Sequence, residues 1–163
     1  MFNVSPMIWS GREVAKFIRN CSEEQIQPNG VDLTLGWVYA FSGLGTIDDG
    51  KTIPKYDEIL PNSEGVYILK PGAYLVRYQE IVKIPTNAIG LVFPRSSLQR
   101  MGAIVYTSVW DSGYQGRGIG LMVVYNPYGI RIKRGSRICQ IIFVTAKSYG
   151  EYMGSYQCEG LSL

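Results

Sequence analysis

Apolar residues along this chain recur mainly at every second position or in short blocks, and only once at helical spacing. That one place lies near the N-terminus. Ser10 is a good N-cap, Glu13 stands three residues later as its capping-box partner, and Val14, Phe17 and Ile18 follow at i, i+3 and i+4. The pattern predicts one short amphipathic helix reaching about Asn20. Beyond it, β-branched and aromatic residues fill the gaps between frequent Gly and Pro. Short strands are predicted over 31–35, 37–41, 66–69, 73–78, 81–84, 88–92, 103–106, 119–125, 130–132 and 138–144. Turn signals such as Lys70-Pro71-Gly72 and Asn126-Pro127-Tyr128-Gly129 separate them. Many short strands punctuated in this way predict a mainly β sandwich, jelly roll or barrel. The stretch 149–163 is rich in Gly, Tyr and Ser and lacks periodicity. It is expected to be a C-terminal arm, ordered only against something else.

Composition narrows the chemistry. A chain of 163 residues suits one domain, here residues 1–148, with a core that needs no disulfide or metal staple. Histidine is absent, which removes Ser-His-Asp and Cys-His nucleophile systems, HExxH zinc sites and any imidazole base. Carboxylates, Arg, Lys, Tyr, hydroxyls or a hard metal must act instead. The net charge of +3 is too mild and too dispersed to imply a nucleic-acid partner. Cys21, Cys139 and Cys158 are far apart and form no CxxC pair, so a reducing cytoplasm fits. No apolar stretch approaches the roughly 20 residues of a spanning helix. Residues 1–9 lack the basic-then-apolar pattern of a secretory leader. No membrane partner is expected.

Four segments carry candidate chemistry. Gln27–Gly36 places a lone acid, Asp32, at the head of an apolar strand, where a turn-forming Asp after Asn-Gly is equally reasonable. Phe93–Arg100 brackets Ser96 and Ser97 between Arg95 and Arg100, a donor set suited to phosphate oxygens, although solvated arginines on a polar loop would look the same. Trp110–Gly116 puts Asp111 and Tyr114 in one Gly-containing loop, either a plain hairpin turn or a water-activating base beside a stacking ring. Lys133–Ile141 surrounds Gly135 with basic residues and leads into a strand bearing Gln140.

Taken together, in this order and spacing, these segments resemble the dUTPase / dCTP deaminase superfamily. The resemblance runs through Gly-Val-Asp-Leu (30–33), Leu-Lys-Pro-Gly (69–72), Pro-Arg-Ser-Ser-Leu (94–98), Asp-Ser-Gly-Tyr-Gln-Gly (111–116) and Gly-Ser-Arg-Ile-Cys-Gln (135–140). The tail around Tyr152–Gln157 looks like the deaminase-side arm. The resemblance implies a jelly-roll-like distorted β-barrel, homotrimers with active sites between subunits, and a deoxynucleoside triphosphate bound with Mg²⁺. It also implies one of two reactions: deamination at C4 of cytosine, or cleavage of dUTP between the α- and β-phosphates. Deaminases of this kind place a Glu in the strand after the Asp-x-Gly-aromatic loop. Here that position falls on Leu121 or Val123, and no acid occurs between Ser112 and Glu151. The expectation is therefore a dUTP diphosphatase on a deaminase-like scaffold. The alternatives are a deaminase or bifunctional enzyme borrowing Glu80 or Glu151, and a non-catalytic deoxynucleotide-binding regulator.

The same resemblance implies roles for single residues. Asp111 is the base for a water attacking the α-phosphorus. Arg95, Ser96 and Ser97 hold phosphate oxygens, Gln140 helps at the α-phosphate, and Arg100 matches a deaminase-type active-site position. Asp32 orders either a metal-bound water or a phosphate-binding Arg. Tyr114 packs under the deoxyribose, and Tyr156 and Gln157 close over the nucleotide.

Overall fold

The computed structural model describes residues 7–161; residues 1–6 and the last two residues of the arm lie outside the described residues. The capping box forms as expected. The Ser10 backbone N–H donates to Glu13 Oε2 at 3.0 Å and the Glu13 N–H donates to Ser10 Oγ at 3.4 Å, opening α1 (Gly11–Ala15). The helix ends before Phe17, short of the predicted Asn20. The Phe17 carbonyl accepts the Lys83 N–H at 2.9 Å, and Ile18–Arg19 becomes strand β1. Sheet pairing has taken the backbone groups that a longer helix would have used.

The strands that follow are β2 (Val31–Phe41), a small hairpin of β3 (Thr46–Ile47) and β4 (Lys51–Thr52), then β5 (Tyr56–Ile59), β6 (Val66–Leu69), β7 (Gly72–Tyr78), β8 (Ile81–Lys83) and β9 (Ala88–Pro94). After α2 (Ser96–Arg100) come β10 (Ala103–Tyr106), β11 (Gln115–Gly116), β12 (Ile119–Val124), β13 (Ile130–Lys133) and β14 (Arg137–Thr145). The largest sheet runs β10-β12-β7-β2-β14-β9, with β5 also beside β2. A second sheet is β1-β8-β11, and β6 pairs with β13. All pairings are antiparallel. The result is the expected mainly β, jelly-roll-like barrel.

The two strands predicted over 31–35 and 37–41 are one continuous strand. Its first half pairs with β14 and its second half with β7, and the register shifts between Leu35 and Trp37. Gly36 sits at this irregularity, where an added Cβ would lie 3.0 Å from the Arg77 carbonyl oxygen. The bend puts the head of β2, with Asp32, on the β14–β9 side of the molecule. Val31, Leu33 and Leu35 are fully buried there, with Ile141 and Phe143 of β14. The segment 96–100 forms a single helical turn that no apolar period revealed.

Candidate active site

The expected residues fall into two groups. The first gathers where β2, β14 and the β9–α2 junction meet. Asp32 stands opposite Gln140 in the β2–β14 ladder, and Gln140 stands opposite Phe93 in β9. Asp32 is 1% exposed and its carboxylate is ringed by donors. Arg95 pairs with it, Arg137 Nη1 lies 3.5 Å from Oδ2, and Gln27 Nε2 donates to Oδ2 at 3.0 Å. A buried carboxylate engaged in this way holds the two guanidinium groups in place. Of the two expected roles for Asp32, the ordering of an arginine matches the ion pairs seen here.

Arg95 caps α2, so Ser96 and Ser97 follow it on the exposed first turn, and Arg100 is exposed at the other end. Gln140 Nε2 donates to the Asn29 carbonyl, so its amide is held by the turn that precedes β2. Arg137 was not singled out from the sequence, although it belongs to the basic segment Lys133–Ile141. The available signal was its place opposite Thr34, beside Asp32, once β2 and β14 are paired.

The second group lines a cleft of about 270 Å³. Trp110 bridges to Gly90 of β9, and this tether fixes the loop that follows. Asp111 is exposed at the rim of the cleft. Tyr114 is 6% exposed, with its ring edge-on to Trp110 at 5.2 Å and to Tyr152 at 5.7 Å. Its hydroxyl donates to Glu159 Oε1 at 2.8 Å. Burial, and then the adjoining carboxylate, push the Tyr114 phenol well above the ordinary tyrosine range. Burial likewise raises the Glu159 carboxyl, against the opposing pull of the Tyr114 hydroxyl and Arg77.

The arm is ordered against its own chain. The Tyr152 N–H donates to the Ser112 carbonyl at 2.7 Å, the Cys158 N–H to the Gln115 carbonyl at 2.8 Å, and Arg117 Nη1 to the Gly160 carbonyl at 2.6 Å. Tyr156 lines the cleft, with Lys51 Nζ of the β3–β4 hairpin 5.2 Å from its ring centroid. Gln157 differs from expectation. Its Oε1 accepts the Gln115 N–H at 2.8 Å and its Nε2 donates to the Gly113 carbonyl at 3.0 Å, so its amide anchors the arm to the loop instead of pointing at a ligand. Glu159 and Tyr152 also line the cleft. Neither was a candidate, because the arm's lack of periodicity hides which side chains turn inward.

The two groups do not meet within one chain. Gly90 holds the Asp111 loop, whereas Arg95 follows the end of β9 five residues on, a rise of roughly 16 Å at about 3.3 Å per strand residue. No hydrogen bond or ion pair joins them among the described residues.

The strand that would carry a deaminase's glutamate is β12. Leu121 stands opposite Tyr106 and Val123 opposite Ile104, on the less buried face. The groove beside it is lined by Leu75, Tyr106, Thr107, Ser108, Ile119, Gly120 and Leu121, none of them acidic. Glu80 is buried elsewhere, and Glu151 is exposed beside Gly113.

This fold is jelly-roll-like, with a buried-carboxylate arginine cluster at one place and an aromatic-lined cleft at another, and comparison with known proteins identifies its family. A family model described as dCTP deaminase-like matches residues 8–146, so the chain belongs to that family. A probable deoxyuridine 5'-triphosphate nucleotidohydrolase of Aeropyrum pernix is 41% identical over 95% of this chain and 100% of its own length. The deoxyuridine 5'-triphosphate nucleotidohydrolase of Methanocaldococcus jannaschii is 40% identical over 93% of this chain and 99% of its own. Among solved structures, the 2'-deoxycytidine 5'-triphosphate deaminase of Agrobacterium tumefaciens superposes with a TM-score of 0.65 at 21% identity. That match covers 85% of this chain, which spans only 48% of the deaminase. These structural likenesses bear on fold alone.

Proposed function

We propose that this chain is a dUTP diphosphatase, hydrolysing dUTP to dUMP and pyrophosphate. The observation that carries the reading is an exposed carboxylate, Asp111, at the rim of a nucleoside-sized cleft, together with a separate, preorganised arginine cluster and a β12 strand that bears no acid. The naming of the relatives above as deoxyuridine triphosphate nucleotidohydrolases supports it.

Asp111 acts as the general base, drawing a proton from the water that attacks the α-phosphorus in line with the leaving pyrophosphate. Arg95, held by Asp32, and the Ser96 and Ser97 hydroxyls grip phosphate oxygens. Gln140 borders this cluster, and Arg100 lies within reach at the end of the same turn. Tyr114, wedged between two rings, presents a fixed edge against which the deoxyribose packs, leaving no room for a 2′-OH. Tyr156 closes the mouth of the cleft.

No cluster of three or more metal-ligating side chains occurs among the described residues. A Mg²⁺ ion would be held by the substrate's own phosphate oxygens and several waters, to which Asp111 at the rim of the cleft could add a carboxylate oxygen. When bound, the ion neutralises charge on the triphosphate.

The separation of the two groups supports an assembly in which one copy supplies the arginine cluster and a neighbour supplies the cleft, as in a homotrimer with sites between subunits. Exposed Phe93, Met101, Tyr106 and Tyr125 give such contacts an apolar surface. No described helix is long and apolar enough to cross a membrane, and the three free thiols suit a reducing compartment such as the cytoplasm.

One observation favours a second reading. Glu159 gives the cleft a further carboxyl, which a deaminase could use. Replacing Asp111 tests the first. Asp111→Asn should lower kcat for dUTP by about 10²–10⁴-fold and leave the affinity for a non-hydrolysable dUTP analogue within a few-fold of wild type. Undiminished turnover would reject Asp111 as the base.

A further inference from the structure

Glu80 and Asp32 are both 1% exposed, yet their surroundings differ. Asp32 has two arginines. Glu80 has no cation within ion-pair distance among the described residues. A buried carboxylate without a counter-charge is costly unless several donors converge on it. Three do. The Thr34 N–H donates to Oε2 at 2.9 Å, and the Thr34 hydroxyl and Gln25 Nε2 donate to Oε1 at 2.6 and 2.8 Å. Nothing in the reaction proposed above uses this acid.

Its partners, however, are those that frame the arginine cluster. Gln25 Nε2 spends its second hydrogen on the Asp32 carbonyl at 2.8 Å, and Gln25 Oε1 accepts the Ser22 N–H at 2.9 Å, so the amide is fixed on three sides. Gln25 closes the short turn Glu23–Gln25, whose Glu24 carbonyl accepts Arg137 Nη1 at 2.6 Å. Thr34 stands opposite Arg137 in the β2–β14 ladder. From one carboxylate, two short routes therefore reach Asp32, which pairs with Arg95, and Arg137, which shares that carboxylate.

We propose that Glu80 is a positioning residue for phosphate binding: through Gln25 and Thr34 it fixes the placement of Asp32 and Arg137, and thereby the grip of Arg95. This rests on the reading of that cluster as the phosphate-binding part of the site. Because every partner of Glu80 is a donor, Glu80→Gln sets an amide N–H against another N–H and loosens the frame without opening a cavity. Gln25→Met removes the link to Asp32 and leaves the carboxylate in place.

The test is calorimetric titration of the full chain with inorganic pyrophosphate and Mg²⁺, together with steady-state dUTP hydrolysis, for wild type, Glu80→Gln, Gln25→Met and the double variant. Each single change should raise the pyrophosphate Kd and the dUTP KM about tenfold, the scale of one lost charge-assisted hydrogen bond, with kcat altered less than about threefold because neither variant touches Asp111 or its water. The double variant should be no worse than Glu80→Gln alone, since both act through the same bonds. An unchanged Kd and KM in a folded variant, or losses that multiply in the double, would show that Glu80 serves only the fold. Should Glu80→Gln fail to fold, Gln25→Met decides alone. A wild type that binds pyrophosphate without hydrolysing dUTP, with weaker binding in the variants, would sustain the positioning role and overturn the hydrolase reading. Failure of the wild type to bind pyrophosphate would overturn the proposal itself.

Discussion

Tyr114 has two loads on one side chain: its ring edge bounds the cleft, and its hydroxyl ties down Glu159. The two are separable by substitution. Tyr114→Phe keeps the ring and should leave the ratio of dUTP to UTP turnover unchanged. Tyr114→Ala removes the ring and should lower that ratio at least tenfold, at about 3–5 kcal/mol of stability. Competition assays with both triphosphates check this, and an unchanged ratio in the alanine variant would reject the steric role. At this scale the sequence was legible wherever residue type limits chemistry. A chain without histidine confines any chemistry to carboxylates, Arg, Lys, Tyr, hydroxyls or a hard metal, and an Arg-Ser-Ser run offers a donor set suited to phosphate oxygens. What remained hidden was partnership. Asp32 was expected to order either a metal-bound water or an arginine, and which arginines was not legible until β2 and β14 came into register and placed Arg95 and Arg137 around it. Gln157 looked like a ligand contact, and its amide is consumed by two backbone groups.

Elements show the same division. Alternation located most of the strands, because a half-buried strand must alternate. It split β2 in two at Gly36, since a bend between two sheets interrupts the pattern without ending the strand. It missed α2, which buries only Leu98 along its length and so leaves no apolar period. The arm is the element with the most to lose from a change in pH. Its Glu159 carboxyl, faced by Tyr114 and Arg77, is raised by burial above its ordinary value of 4.5. A carboxyl raised on docking binds its proton more tightly when docked. Docking is therefore strongest below the ordinary value and weakens as pH rises through the raised one. Exchange protection of the Cys158 amide, which donates to Gln115, should be greater at about pH 4 than at about pH 8 after correction for intrinsic rates. Glu159→Gln should flatten that difference. Protection that rises with pH would contradict the role of Glu159 in holding the arm.

For the whole molecule, the arginine cluster and the cleft share no hydrogen bond or ion pair within the described residues of one chain, and on the function proposed above each is completed by a neighbouring copy. Shared sites predict complementation. Asp111→Asn and Arg95→Ala should each be inactive alone. Reassociated in equal amounts, they should regain activity at about one site in four, by random assembly of a cyclic oligomer. No recovery in a mixed oligomer would mean that each chain builds its site alone. Sequence could name both halves but not their separation, because distance between motifs in space depends on the path of β9 and not on spacing along the chain.

The most direct test follows pyrophosphate and ammonia together, in the presence of Mg²⁺, with dUTP and with dCTP as substrates. A strand that carries Leu121 and Val123 where a proton carrier would stand predicts pyrophosphate from dUTP and no ammonia from dCTP. Ammonia release from dCTP would contradict that account and turn attention to Glu159.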